Sequence, residues 1–250
     1  MRLRQANQDA SAGSLTEVQR IVARLRNRWP KLKVILRADS GFCREELMRW
    51  CEDNRVDYVF GLARNDRLRQ RIGKAMRRAK ARAKRTGQSA RVYTEFRYRT
   101  RESWSRTRRV VAKAEQIEGK ENPRYVVTSL AASAFRPRAL YEDLYCARGE
   151  MENRIKEQML LFADRMSAET MRANQLRLYL SAAAYVLVEA LRRLALKGTE
   201  LAQAQVNTIR LRLLKIGALV RWTARRVSVS MASAYPWQSL FAHTWKALRI

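Results

Sequence analysis

Two short apolar runs, Lys33-Val-Ile-Leu-Arg-Ala38 and Tyr58-Val-Phe-Gly-Leu62, are separated by Asp39-Ser40-Gly41 and a helix-patterned stretch from Glu45 to Cys51. Strand, tight turn, helix and strand in that order predict a largely parallel sheet and an α/β core. Upstream, Leu15, Val18, Ile21, Val22, Leu25 and Trp29 recur at helical spacing, and Ser14 with Glu17 reads as a capping box. After Gly87 the period drops to two, with Val92, Thr94, Phe96 and Tyr98 on one side, and a second β-rich run spans Arg108 to Ala114. These predict an antiparallel hairpin inserted into the core. A third run, Arg124 to Ser129, either extends that hairpin or returns to the main sheet, and the return is the expected course. From Ala139 the pattern is nearly all helical, with segments near 149–165, 170–196 and 208–222. An alternating stretch (Val227, Val229, Met231) and an aromatic helix carrying Trp237, Phe241 and Trp245 follow. The expected division is 1–65, 66–130 and 131–250.

Charge narrows the partners. Against 23 acidic residues stand 52 Lys and Arg, a formal net charge of +29. Such an excess opposes compaction unless a polyanion neutralises it, and nucleic acid is the obvious one. Arg supplies 41 of the 52, and its planar fork grips phosphate oxygens in pairs. Three cysteines without a CxxC pair and a single histidine, His243, exclude a disulfide scaffold and make zinc chemistry improbable. The N-terminal MRLRQANQDA has no apolar signal core, and the apolar run from Leu178 to Leu191 is shorter than the ~20 residues of a membrane-spanning helix. A cytoplasmic protein with no membrane partner is expected.

Three places can carry chemistry. Asp39 sits at the carboxyl end of a strand, where ligands gather in open α/β sheets. With small neighbours Ser40 and Gly41, it reads either as an uncrowded metal ligand or as an ordinary turn residue. Basic residues at 67, 71, 74, 78, 82 and 85 share one face of a helix expected over 65–85. They read either as a phosphate track (Arg67, Arg71, Lys74, Arg78, Arg82) or as a solvated surface. In Tyr145-Cys-Ala-Arg148-Gly-Glu-Met-Glu152-Asn-Arg-Ile-Lys156, spacings of three, four and four put Tyr145, Arg148, Glu152 and Lys156 on one helical stripe, within about 40° of Glu152. A surface salt-bridge ladder has the same pattern. Trp104, flanked by Arg101 and Arg106 in the expected hairpin turn, is a candidate for stacking on or wedging DNA. The other tryptophans, Trp222 among them, read as core or interface anchors.

These residues resemble the DDE transposases of bacterial insertion sequences, an RNase-H-like group marked by Tyr-x2-Arg-x3-Glu with a downstream Lys. The second Asp of that family is read here as Asp39 in Arg37-Ala-Asp39-Ser40-Gly41-Phe42, and its Glu as Glu152. The resemblance also takes in Tyr58 to Asn65, Arg109 to Glu115, Asn122 to Leu130, Met171 to Leu178 and the tail from Thr208, practically the whole chain. It implies a partial RNase-H-like sheet, a largely helical C-terminal region and phosphoryl transfer on DNA. Asp39 and Glu152 would hold Mg²⁺ or Mn²⁺ ions, roughly 3.5–4 Å apart in a two-metal site. Tyr145, Arg148 and Lys156 would lie along the DNA strand. The partners implied are transposon ends, target DNA and a second copy in a synaptic complex.

The departures carry implications too. No residue matches the family's first Asp, and Asp9 does not fit its motif. Lys156 lies four residues after Glu152, whereas the wider group places its Lys seven after, at Met159 here. The sequence therefore reads as a C-terminal portion, a truncated transposase of impaired activity, with an unpaired edge on the strand ending at Asp39 and poor solubility. The alternative is a non-catalytic basic DNA-binding or multimerising remnant.

Overall fold

A computed structural model describes residues 3–5, 7–9 and 11–249, apart from the side chain of Arg148. The chain forms two compact units, Ala6–Glu150 and Met151–Ile250 with Met1–Gln5.

The first unit opens with α1 (Ser14–Arg28), β1 (Val34–Ala38), α2 (Glu45–Asp53) and β2 (Val56–Leu62). A basic helical region follows, α3 (Asp66–Arg71) and α4 (Gly73–Thr86), and then β3 (Ala90–Tyr98), β4 (Arg108–Ile117), β5 (Lys120–Glu121) and β6 (Arg124–Thr128). The strands form one mixed sheet in the order β1-β2-β6-β4-β3, with β5 paired to β4. The sheet is not largely parallel as expected: among the described residues β1 and β2 run parallel, whereas β2–β6, β6–β4 and β4–β3 are antiparallel, because β3, β4 and β6 follow one another through short connections. The β3–β4 hairpin is therefore continuous with the main sheet and not an insertion. The reason is β6, whose every residue from Tyr125 to Thr128 pairs on both sides and joins the hairpin to β2. Among the described residues β1 is a terminal strand of the sheet.

Alternation along the central strands builds a core on each face. Tyr58 and Phe60 of β2 with Val110, Ala112 and Ala114 of β4 face α1 to α4, where Val22, Leu47, Met48, Cys51, Leu68, Met76 and Ala79 cover them. Burial pushes the thiols of Cys43 and Cys51 up to about 12, so both stay protonated. Val59, Val111 and Val126 face the other way. They are covered by Leu130, just after β6, and by Leu140 and Tyr141 of the π-helical turn Leu140–Tyr145, which follows α5 (Pro137–Ala139). A 3-10 turn, Cys146–Arg148, leads into α6 (Gly149–Met159).

Three local expectations are corrected. Helix α1 starts without a capping box, because Gly13 occupies the N-cap with φ 73° and no side chain caps the end. The basic helix is broken at Ile72, whose buried side chain joins the core. Trp104 is 3% exposed, with its indole edge-on to Tyr98 and the Arg108 guanidinium 5.4 Å above it, so it presents no face to a base.

The second unit contains α7 (Met171–Ala195), α8 (Val206–Ile209) with a π-helical continuation to Leu214, β7 (Ala218–Trp222), β8 (Val227–Met231) and α9 (Gln238–Leu248). Its core gathers Leu161, Val188, Leu196, Leu201, Val206, Ile209 and Leu213. Glu157 of α6 ties it together by accepting from Arg192 of α7 at 2.8 Å and from the Val206 amide at 3.1 Å. The helix expected over 208–222 stops at Leu214. Beyond Gly217, Ala218, Val220 and Trp222 alternate in register with Met231, Val229 and Val227, and cross-strand pairing prevails over helical continuation.

One buried ion network locks α2 to the sheet. Arg108 of β4 reaches Glu45 at 2.5 Å and Glu52 at 2.6 Å, and the Tyr58 hydroxyl donates to Glu52 at 2.7 Å. Burial alone would raise both glutamates, but hydrogen bonds from Arg108, helped by Ser105 or Tyr58, and the guanidinium charge outweigh it and hold them below the ordinary value of 4.5. Depressed carboxylate values contribute stability above 4.5 that is lost as pH falls through the folded-state values. Arg108→Ala strands two half-buried charges and is expected to cost about 3 kcal/mol in urea unfolding at pH 7, with a smaller loss on acidification below pH 4.5 than the parent. A cost under ~0.5 kcal/mol contradicts this role.

Candidate active site

Asp39 follows the last residue of β1, the strand paired in parallel with β2. Its backbone is extended (φ −78°, ψ −173°), and it caps the short 3-10 turn Ser40–Phe42 by accepting the Gly41 amide on Oδ1 at 2.9 Å. The carboxylate is exposed. The turn role is thus realised, and it holds the carboxylate at the strand end by a local hydrogen bond.

Tyr145, 106 positions later in sequence, comes to the same place. Leu140 and Tyr141 anchor the π-helical turn under the sheet, and the Arg37 guanidinium of β1 donates to the Leu144 carbonyl at 2.8 Å. Tyr145 packs against Tyr141 with ring centroids 5.5 Å apart, and Tyr141 packs in turn on Tyr93. Its hydroxyl enters a notch on β2. A Cβ built on Gly61 would lie 2.6 Å from Tyr145 Oη, 2.9 Å from the Ser40 amide nitrogen and 3.2 Å from the Asp39 carbonyl carbon. Real side chains do not tolerate such approaches, so a glycine is what lets the Asp39 turn and Tyr145 meet over β2.

Beside this junction lies a cavity of about 380 Å³ lined by Ser40, Gly61, Arg64, Arg124, Tyr141 and Tyr145 among others. Arg64 and Arg124 are exposed and give it a cationic rim. Both arginines lie in segments that the resemblance takes in, Tyr58 to Asn65 and Asn122 to Leu130, although no motif there singles out either as a site residue. Gly61 carries a readable signal, a glycine inside an apolar strand.

Glu152 and Lys156 are exposed on α6. Glu152 belongs to the second unit and Asp39 to the first. The side chain of Arg148 lies outside the described residues. Among the described residues no group of three or more His, Cys, Asp or Glu is placed to hold a metal ion. Asp39 and Glu152 nevertheless offer what Mg²⁺ and Mn²⁺ take, hard carboxylate oxygens on exposed side chains.

Arg67, Arg71, Lys74, Arg78 and Arg82 are all exposed, while Leu68, Ile72, Ala75, Met76 and Ala79 bury the opposite side of α3 and α4. Arg67 lies over the Tyr98 ring at 5.3 Å. Helix α4 itself contains no acidic residue.

The candidate site thus combines a parallel strand pair ending in an exposed aspartate, a tyrosine seated beside it, a cavity with a cationic rim and exposed basic residues on α3 and α4. The whole chain, residues 1–250, matches the family described as Transposase DDE domain group 1, and it belongs to that family. The chain matches no curated protein. Transposases act on DNA, and this family generally uses divalent metals.

The Gly61 notch is open to direct test. Gly61→Ala is expected to lower stability by about 1–3 kcal/mol through overpacking. Tyr145→Phe in the same background should recover part of the loss, because it removes the nearest atom. Urea titration of the two variants checks both; a Gly61→Ala protein as stable as the parent contradicts the packing described.

Proposed function

We propose that this chain is the catalytic portion of a DDE transposase of the bacterial insertion-sequence type, with an RNase-H-like core, performing metal-dependent DNA strand cleavage and strand transfer. The observation that carries the reading is the meeting of Asp39 and Tyr145 at the end of β1 in a chain whose full length matches the DDE domain family. In this reading Asp39 and Glu152 are the metal-holding carboxylates. Asp39 and Glu152 would hold a divalent ion there, which would supply Lewis-acid activation of an attacking water or 3′-hydroxyl and charge stabilisation of the leaving oxygen.

The protein's own side chains position the strand. The Tyr145 ring flanks the strand end beside the Asp39 turn, Arg148 and Lys156 hold phosphate oxygens near the scissile bond, and Arg67, Arg71, Lys74, Arg78 and Arg82 carry the flanking duplex. Positioning and charge neutralisation suffice for phosphoryl transfer, which needs no covalent protein nucleophile. A pair of copies would bring two DNA ends together.

Isothermal titration with Mn²⁺ tests the assignment. The parent is expected to bind Mn²⁺, and Asp39→Ala and Glu152→Ala are each expected to lose most of that binding. Unchanged binding in both variants contradicts the catalytic reading and favours a non-catalytic basic DNA-binding or multimerising role.

A further inference from the structure

The pairing of Ala218 with Met231, Val220 with Val229 and Trp222 with Val227 puts these six side chains on one face of the β7–β8 hairpin. The other face carries Leu219, Arg221, Ser228 and Ser230, and Arg225 and Arg226 sit in the connection, closed by a hydrogen bond from the Thr223 amide to the Arg226 carbonyl at 2.9 Å. All ten strand residues are exposed. Trp222 is 86% exposed, at the end of the ribbon nearest the turn. A lone two-stranded ribbon with a bare apolar face is marginal in water, so the face calls for an occupant.

Charge selects which one. From Leu201 to Ile250 the sequence has no Asp or Glu and eight Lys or Arg. A second copy would set one such region against another of the same sign, whereas a nucleic acid strand supplies phosphates for the arginines and a base for the indole. We infer that the β7–β8 hairpin is a nucleic-acid arm, in which Arg225 and Arg226 of the connection neutralise phosphates and Trp222, at the end of the ribbon nearest them, stacks on a base. Tryptophan at such a site is sequence-tolerant, since every base offers a π face. The arm rests on the proposal that this chain acts on DNA and adds a binding surface separate from Asp39, Glu152 and the α3–α4 face.

The test is binding of the full chain to a fluorescein-labelled single strand and to the matching duplex, over a range of salt concentrations. Trp222→Ala is expected to weaken single-strand binding roughly five- to hundred-fold, the worth of one stacked base, while Trp222→Phe retains most of it. Arg225→Ala with Arg226→Ala should lower the slope of log affinity against log salt for the single strand by about 1.4, since each phosphate no longer neutralised removes about 0.7. Far-UV circular dichroism verifies that the helices persist. The control is Lys74→Ala with Arg78→Ala and Arg82→Ala on α4.

If the α4 variant loses affinity and Trp222→Ala binds like the parent, the arm is overturned while the DNA-binding reading stands. If the parent binds neither DNA, both fall. If Trp222→Ala converts a dimer to a monomer in sedimentation with DNA affinity unchanged, the face seats a second copy and the inference is wrong.

Discussion

The missing side chain of Gly61 is the constraint on which the candidate site depends. It lets two backbone segments far apart in sequence approach the same strand, the Asp39–Ser40 turn along its edge and the Tyr145 hydroxyl from the face below. Neither approach survives a Cβ. The parallel pairing of β1 with β2 sets the height of Asp39 above the sheet. The Arg37 hydrogen bond to Leu144 and the stack from Tyr93 through Tyr141 fix the tyrosine. The site is therefore assembled by backbone register and one absent methyl group, with the Asp39 carboxylate left exposed.

The distribution of charge follows a related logic. Much of the limited acidic content is engaged inside: Glu45 and Glu52 with Arg108, Glu95 with Arg109, Glu115 with Arg91 and Lys113, Glu157 and Glu189 with Arg192. Pairs of this kind hold elements together in low dielectric, and breaking one leaves an uncompensated charge. On the outside, α4 and the last fifty residues carry cations with no acidic residue of their own. These two regions together carry 15 of the 52 Lys and Arg without an offsetting carboxylate, about half of the net charge of +29.

How far the sequence reveals this depends on the reach of the interaction concerned. Strand β1, the Asp39 turn, α2 and β2 are legible because strand, turn and helix patterns are local. The amphipathic split of α3 and α4 is legible for the same reason, although the break at Ile72 is not, since a single core contact decides it. The course of β6 is not settled by its residues, because a run of Tyr-Val-Val-Thr fits either neighbour and in fact pairs with both. The tryptophans mislead most. Trp104 has the local marks of an exposed turn but is drawn under Arg108 and against Tyr98. Trp222 has the spacing of a helix anchor, yet Gly217 and the alternation up to Met231 turn its segment into an exposed ribbon. Aromatic exposure is a tertiary property, and neither residue's neighbours in sequence encode it.

The proposed function stands on Asp39 and Glu152 each holding a divalent cation. Paramagnetic broadening of backbone amide resonances by stoichiometric Mn²⁺ measures it directly. The claim predicts that the amides of Ser40 and Gly41 and those around Glu152 on α6 broaden together and recover together when EDTA removes the metal. Broadening confined to one of the two segments, or spread without preference over the acidic surface, contradicts it.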